Sequence, residues 1–578
     1  MKKNITDVIR KSAIFLLLYM VLILVITTVL FLVKIPITPF HLPIITVIAI
    51  VLYWMLYKKE NKKINIIAVI LALIFFTTVT FIEGKVYDST ADGNTYHKLA
   101  IGCMKNGWNP CYDSSEDFNK EQGNVFDTSS ENVNTLWIDH YAKGTEIFAA
   151  VIYAFTENIE SGKGYTIILM YSAFGILFAY LYDDKKRNLL TSLIVPVLLV
   201  FNAITIVQIF NYYVDGALMI SILMIMFELI RECEKDKNKQ LENLIVLASN
   251  IILCINIKFT GIAFAGIYCF VFYVYWLIKA YRASKEEFVK QLKIYTMFYI
   301  ITVLVAVGVV GFSSYTKNFI DHGHPLYPLY GEGHVANMVV MEQPSSFSDK
   351  NHIEIFLISI FSKGENVSPT YSELNVQPTL KIPFTILDGE IKNYSIPDIR
   401  VGGFGPLFSV VFVVSIIGTI YIILKLIKKK DWNKFIPYCL ILTITAVLIL
   451  VLDGNYWARY IPYFYSVPLL LLCFLLWKKE EKIKYILGII LSVVMFVNVG
   501  LVTYTTIKSS KTTDKYIGDR INEFIIYYNE HAEEGIEIKL NHMGLQGVLY
   551  NLDDLNIQNY TVNEELTDLT RDGFMFKY

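Results

Sequence analysis

Asp88 and Asp92 stand four residues apart in the polar stretch from Glu83 to His97, directly after an apolar run from Ile64 to Ile82. On a helix that spacing puts both carboxylates on one face. There they could take a proton from a hydroxyl or share a divalent cation through oxygen ligands. Tyr96 and His97 follow within five residues of Asp92 and could orient a polar substrate. Asp88, in Asp-Ser-Thr, is also cap-like, so a purely structural role is the competing reading.

Charges that could complement these acids recur hundreds of residues later, each beside an apolar run. Asp215 lies in the turn from Asn211 to Gly216, Lys258 at a break between two runs, and Arg459 with Asp453 between Leu452 and Tyr460. Arg400 opens the Gly-rich stretch to Gly405; no strand precedes it, which argues against a nucleotide fingerprint and for a phosphate clamp. Ionisable groups at membrane depth are costly and usually face a polar cavity or one another. Against the functional reading, Asp215 and Lys258 could form a structural ion pair. Arg459 and Trp457 could be headgroup anchors. His140 follows Asp139, and His322 and His324 stand two apart in the Pro-bearing stretch from Asp321 to Gly331. Two histidines without a third ligand at fixed spacing make a weak metal signature, and an isolated His usually has no special role.

The elements that must position these groups are apolar. Hydrophobic residues make up 54% of the 578 and mean hydropathy is +0.46, with charges clustered between long apolar runs. Such composition excludes an ordinary soluble domain and describes a polytopic membrane protein. Net charge of −1 gives no electrostatic footprint for nucleic acid. At roughly 20 apolar residues per crossing there is room for about thirteen transmembrane helices, the first at about 12–33 and the last at about 483–507. They include runs at about 189–210, 293–314 and 460–477. The first is too long for a cleaved signal and reads as a retained span. Lysines and arginines at 58–63, 185–187, 231–237, 279–285, 428–430 and 478–479 share a side with the basic N-terminus, which puts that side in the cytoplasm.

The opposite side then carries two large loops, about 83–164 and 314–403, and a terminal segment, about 508–578. The fold expected is all-α and polytopic: residues 1–507 form the membrane module, and 508–578 a small α/β extracytoplasmic domain. In that domain a helix is expected over Asp514 to Tyr528 and strands over Ile536 to Leu540 and Val548 to Leu552. Lys143 to Ala154 and His352 to Phe361 suit helices lying along the membrane interface. Cys103 and Cys111 share the first loop and could pair in an oxidising compartment.

This arrangement resembles the GT-C superfamily of integral membrane glycosyltransferases, which includes protein mannosyltransferases and aminoarabinose transferases. The likeness covers most of the chain: acids just after a span, an interfacial helix in the first loop, about thirteen spans, a second outer loop and an outer terminal domain. It implies a sugar donor linked to polyprenyl phosphate, an acceptor that is a glycan, lipid or protein, and a plasma-membrane location. Asp88 would be the base and Asp92 its partner, with Mg or Mn as the metal if one is used. Lys258, Arg400 and Arg459 would meet the departing phosphate. One departure is visible: the acids are four apart here, whereas the mannosyltransferases tend to have an adjacent pair. The alternatives are a polysaccharide polymerase or ligase, which Arg400 keeps open, and a transporter or flippase of lipid-linked saccharides, which should show internal repeats. A non-catalytic scaffold would leave the intramembrane charges unexplained.

Overall fold

The computed structural model describes residues 2–123, 133–183, 188–234, 240–335, 337–367, 377–477, 481–531, 536–540, 546–563 and 573–576. Of the basic residues that orient the chain by sequence, Lys185, Lys186, Arg187, Lys235, Lys237, Lys478 and Lys479 lie outside that set.

The architecture is all-α and polytopic. Among the described residues nine helices are long and apolar enough to cross a membrane: Asn4–Leu32, Lys62–Glu83, Ile159–Tyr182, Gln240–Ile257, Thr260–Ala283, Lys285–Val310, Phe408–Lys428, Trp432–Val451 and Lys482–His531. Their outward faces stay apolar, with Ile74, Phe81, Phe270 and Ile417 exposed, as suits a chain whose solvent on that face is lipid. The first helix is buried where it packs on Lys62–Glu83 and Tyr165–Asp183, so it belongs to the core of the bundle.

Several expected spans come out broken. Residues 189–210 form two helices, Leu189–Val200 and Ala203–Val207, with the Asn202 side chain capping the second at Thr205 N, 2.9 Å. The run at 460–477 is a 3₁₀ turn, Pro462–Tyr465, followed by the ten-residue helix Ser466–Leu475. The run at 293–314 starts earlier, at Lys285, where Ser284 caps Glu287 N, and passes into wide π turns at Leu304–Val310 and Phe312–Thr316. Asp215–Glu234 is helical but carries Glu228, Arg231 and Glu232 near its far end.

The first loop is folded. The stretch Lys143 to Ala154, expected at the membrane surface, lies in the helix Gly144–Thr156, which is buried on every side from Gly144 to Ala154, because an almost wholly apolar helix has no wet face to present. The second loop holds His352–Ile360, started by a capping box between Asn351 and Glu354.

Lys482–His531 is a single 50-residue helix that runs across residue 508. Its far end carries a three-stranded parallel sheet, order Tyr560–Val562, Ile536–Leu540, Gly573–Phe576. The strand expected at Val548–Leu552 is instead a helix, Val548–Asp553: Val548, Leu549 and Leu552 turn onto Ile517, Ile521 and Phe524 of the long helix, a contact that helical spacing provides and alternation does not. The segment also locks onto the first loop. Gly547 N donates to Asn94 O at 2.8 Å, and the Tyr550 ring sits so close over Gly102 that a Cβ there would lie 2.1 Å from its Cζ.

Candidate active site

Asp88 is not on a helix with Asp92. The backbone turns helical only at Ala91, and Asp88 caps the turn leading into it: its Oδ1 accepts from Thr90 N at 2.8 Å and from Thr90 Oγ1 at 2.7 Å. Its Oδ2 accepts from Tyr212 N at 2.8 Å. The residue is 1% exposed, and burial pushes its carboxyl above the ordinary range, opposed by the nearby Lys98. The shared face that the four-residue spacing predicts is therefore absent, since Asp-Ser-Thr favours a cap over helix interior. Asp88 fastens the first loop to the turn that leads to Asp215. Close to it, Glu160 binds Lys98 and Lys163, each at 2.6 Å, in a second buried ionic knot.

Asp92 points elsewhere, to Arg459. Arg459 Nη1 lies 3.7 Å from Asp92 Oδ2 and 3.5 Å from Asp215 Oδ2, while its Nε lies 3.2 Å from Asp398 Oδ1. Lys258 Nζ reaches Asp215 Oδ1 at 2.6 Å, and Gln208 Nε2 donates to Asp215 Oδ2 at 3.2 Å. Arg400 pairs with Asp398 and, at 3.1 Å, with Glu342. Both guanidiniums lie over the Trp457 ring, at 3.8 Å for Arg400 and 4.3 Å for Arg459, and Lys258 lies 4.2 Å from the Tyr460 ring centre. Tyr96 is within electrostatic reach of Asp92 and Arg459.

The sequence-predicted Asp92, Asp215, Lys258, Arg400 and Arg459 thus meet in one cluster at the helix ends. Asp398 and Glu342 complete it, and sequence reasoning missed both. Asp398 had a signal, two residues before Arg400; Glu342, which ends the short helix Met338–Met341, had none. Charges this buried persist only when paired. Among the described residues the cluster's four carboxylates, Asp92, Asp215, Asp398 and Glu342, exceed its three cations by one. Asp92 is the most open of the acids bound to Arg459, its side chain 29% exposed against 2% for Asp215 and 9% for Asp398. The hollow beside Arg459, lined also by Tyr394, Pro397 and Trp457, measures about 20 Å³, room for a water.

The histidines stand apart from this cluster. His97 is buried, its Nδ1 3.0 Å from Glu146 Oε1, with Lys143 at 3.4 Å on the other oxygen. His140 Nδ1 meets Asn318 Oδ1 at 2.8 Å, and its ring stands edge-on to His322 and Tyr327. Burial pushes the His140 imidazole down to about 4. His324 Nδ1 accepts from Leu326 N at 3.1 Å, fixing its own turn. Among the described residues no three His, Cys, Asp or Glu side chains converge as a metal site. Asp88 and Asp92, the pair expected to hold Mg or Mn, turn to different partners. Cys103 and Cys111 are free thiols, Cys103 Sγ lying 3.6 Å from Tyr550 Oη.

A cluster of this kind can do two things. Its cations can bind a phosphate that replaces one of the carboxylates, and an acid so released can take a proton. Comparison with protein-family models, with curated proteins and with solved structures finds no match to this chain.

Proposed function

We propose that the protein is a GT-C-type membrane glycosyltransferase that moves a sugar from a polyprenyl-phosphate-linked donor to an acceptor hydroxyl of a glycan, lipid or protein. In this reading the chain is multi-pass in the plasma membrane, with about thirteen spans. Its N-terminus is cytoplasmic, and its two loops and C-terminal segment lie outside. The single observation that supports it best is the gathering of Asp92, Asp215 and Asp398 on Arg459, with Lys258 and Arg400 alongside, where helices meet the loops.

The donor phosphate takes the place of a carboxylate on Arg400 and Arg459. The acceptor oxygen attacks the anomeric carbon, the bond from that carbon to the phosphate oxygen breaks, and polyprenyl phosphate leaves with the electron pair. Its new negative charge falls on the fixed cations, which need no reorganisation to meet it. The hydroxyl proton passes to Asp92, chosen over Asp88 because its carboxylate is partly open and both Asp88 oxygens already accept backbone N–H groups. Asp88 is a positioning residue, and no step is routed through a metal. Tyr460, beside Arg459 and only partly buried, supplies a ring on which a sugar can stack.

The test is the full chain in proteoliposomes with short-chain polyprenyl-phosphate hexoses, read by donor-dependent thermal stabilisation and release of polyprenyl phosphate. Stabilisation that Arg459→Lys weakens, with turnover that Asp92→Asn abolishes, is the expected result. Indifference of the wild type to every such donor would overturn the proposal.

A further inference from the structure

A second cavity, of about 770 Å³, lies at the opposite ends of the helices. The helix Thr260–Ala283 spans the separation: Lys258 precedes its start in the acid–base cluster, and Lys279 near its end lines the cavity. Roughly twenty residues of helix put the two about 30 Å apart. The volume falls within the range of small-molecule sites.

Its lining divides into two kinds. Phe227, Ile230, Leu426, Tyr438, Leu470 and Phe474 make an apolar wall. Lys279, Lys425, Lys429, Lys434 and Lys484 come from four different helix ends, against Glu481 and Asp431 among the described lining residues. Glu481 is shared by three of them: it pairs with Lys425, lies 3.5 Å from Lys484 and 3.8 Å from Lys429. Lys434 lies 4.3 Å from the Trp477 ring centre. A positive-inside bias accounts for lysines on this face. It does not account for five of them turned round one hollow, with a single carboxylate dividing itself among three. Positive charge in excess beside a deep apolar wall is the complement of a phosphate carried on a hydrocarbon chain.

We propose that this cavity is an anion site that binds a phosphate group, supplied by an anionic lipid or by free phosphate, separate from the acid–base cluster and independent of whether that cluster transfers sugars. The lysines take the phosphate, and the apolar wall takes the first part of a tail if there is one.

The experiment is native mass spectrometry and thermal unfolding of the detergent-solubilised full chain with phosphatidylglycerol, phosphatidylcholine and inorganic phosphate. Three proteins are compared: wild type, Lys434→Gln/Lys484→Gln, and Glu481→Gln. Removing two lysines should weaken anion binding by about thirtyfold. Glu481→Gln should strengthen it, because three ammonium groups lose their shared counter-ion. Opposite signs cannot come from a general loss of fold. Phosphatidylglycerol adducts that follow this order, with phosphatidylcholine indifferent, assign the site to a lipid. Stabilisation by inorganic phosphate that follows the same order, without a preference among lipids, assigns it to soluble phosphate. Equal binding of both lipids together with no phosphate effect, or binding that none of the substitutions moves, would overturn the proposal.

Discussion

Asp88 Oδ2 accepts the backbone N–H of Tyr212 at 2.8 Å, three residues before Asp215. The acid that opens the first loop is thereby tied to the turn that delivers another acid to Arg459. A structural tie and a reacting group respond differently to loss of charge, and that difference separates Asp88 from Asp92.

Asp88→Asn must place an amide N–H₂ against either Tyr212 N or Thr90 N, donor facing donor, at a buried site. It should cost about 1–3 kcal/mol of stability. Asp92→Asn, at a partly open site, should change the unfolding temperature little while lowering turnover about 10²- to 10⁴-fold, the usual contribution of a general base. Thermal unfolding in detergent and donor turnover, measured on the same preparations, check both halves. A stable, inactive Asp88→Asn beside a fully active Asp92→Asn would reverse the two roles.

Asp215 and Lys258 should behave as a coupled pair. Asp215→Asn leaves the buried Lys258 without its carboxylate and should destabilise by about 3–5 kcal/mol. Lys258→Met should cost less, because Arg459 still lies 3.5 Å from Asp215 Oδ2. The double substitution should cost clearly less than the sum, since the orphaned charge disappears with its partner. A double-mutant cycle on unfolding midpoints measures the coupling, and strict additivity would deny it.

His140 predicts an acid-sensitive window. Its imidazole is held down to about 4 by burial, against 6.5 for a free histidine. Well above pH 6.5 it is neutral in both folded and unfolded chain and costs nothing. As pH falls from 6.5 towards 4 the unfolded chain takes up a proton that the folded one refuses, so stability falls across that window and levels below it. His140→Gln should flatten the dependence of Tm on pH between 4 and 6.5, and an unchanged slope would remove His140 from the account.

Cys103 and Cys111 should stay reduced and unreactive in the folded protein. Burial pushes their thiols up to about 11 and about 12, so the thiolate that reacts is scarce at neutral pH. Maleimide labelling should reach neither in mild detergent and both after denaturation, with no mobility change on non-reducing gels.

The sequence by itself determined the class of this protein and much of the membership of its polar cluster. A run such as Ile64 to Ile82 has only one compact way to satisfy its backbone away from water, so apolar length alone gives the helices. Isolated charges beside such runs must find one another, which is why Asp215, Lys258 and Arg459 could be singled out before any fold was known. Only the tertiary structure decided how the charges pair. Four-residue spacing left helix face and cap both open for Asp88, and it could not show that the second carboxylate oxygen is held by Tyr212 N, 124 residues away. Nor could it reveal Asp398 and Glu342 as counter-ions, or gather five lysines around one hollow. Those depend on distances between elements remote in the chain, and composition and periodicity carry no record of such distances.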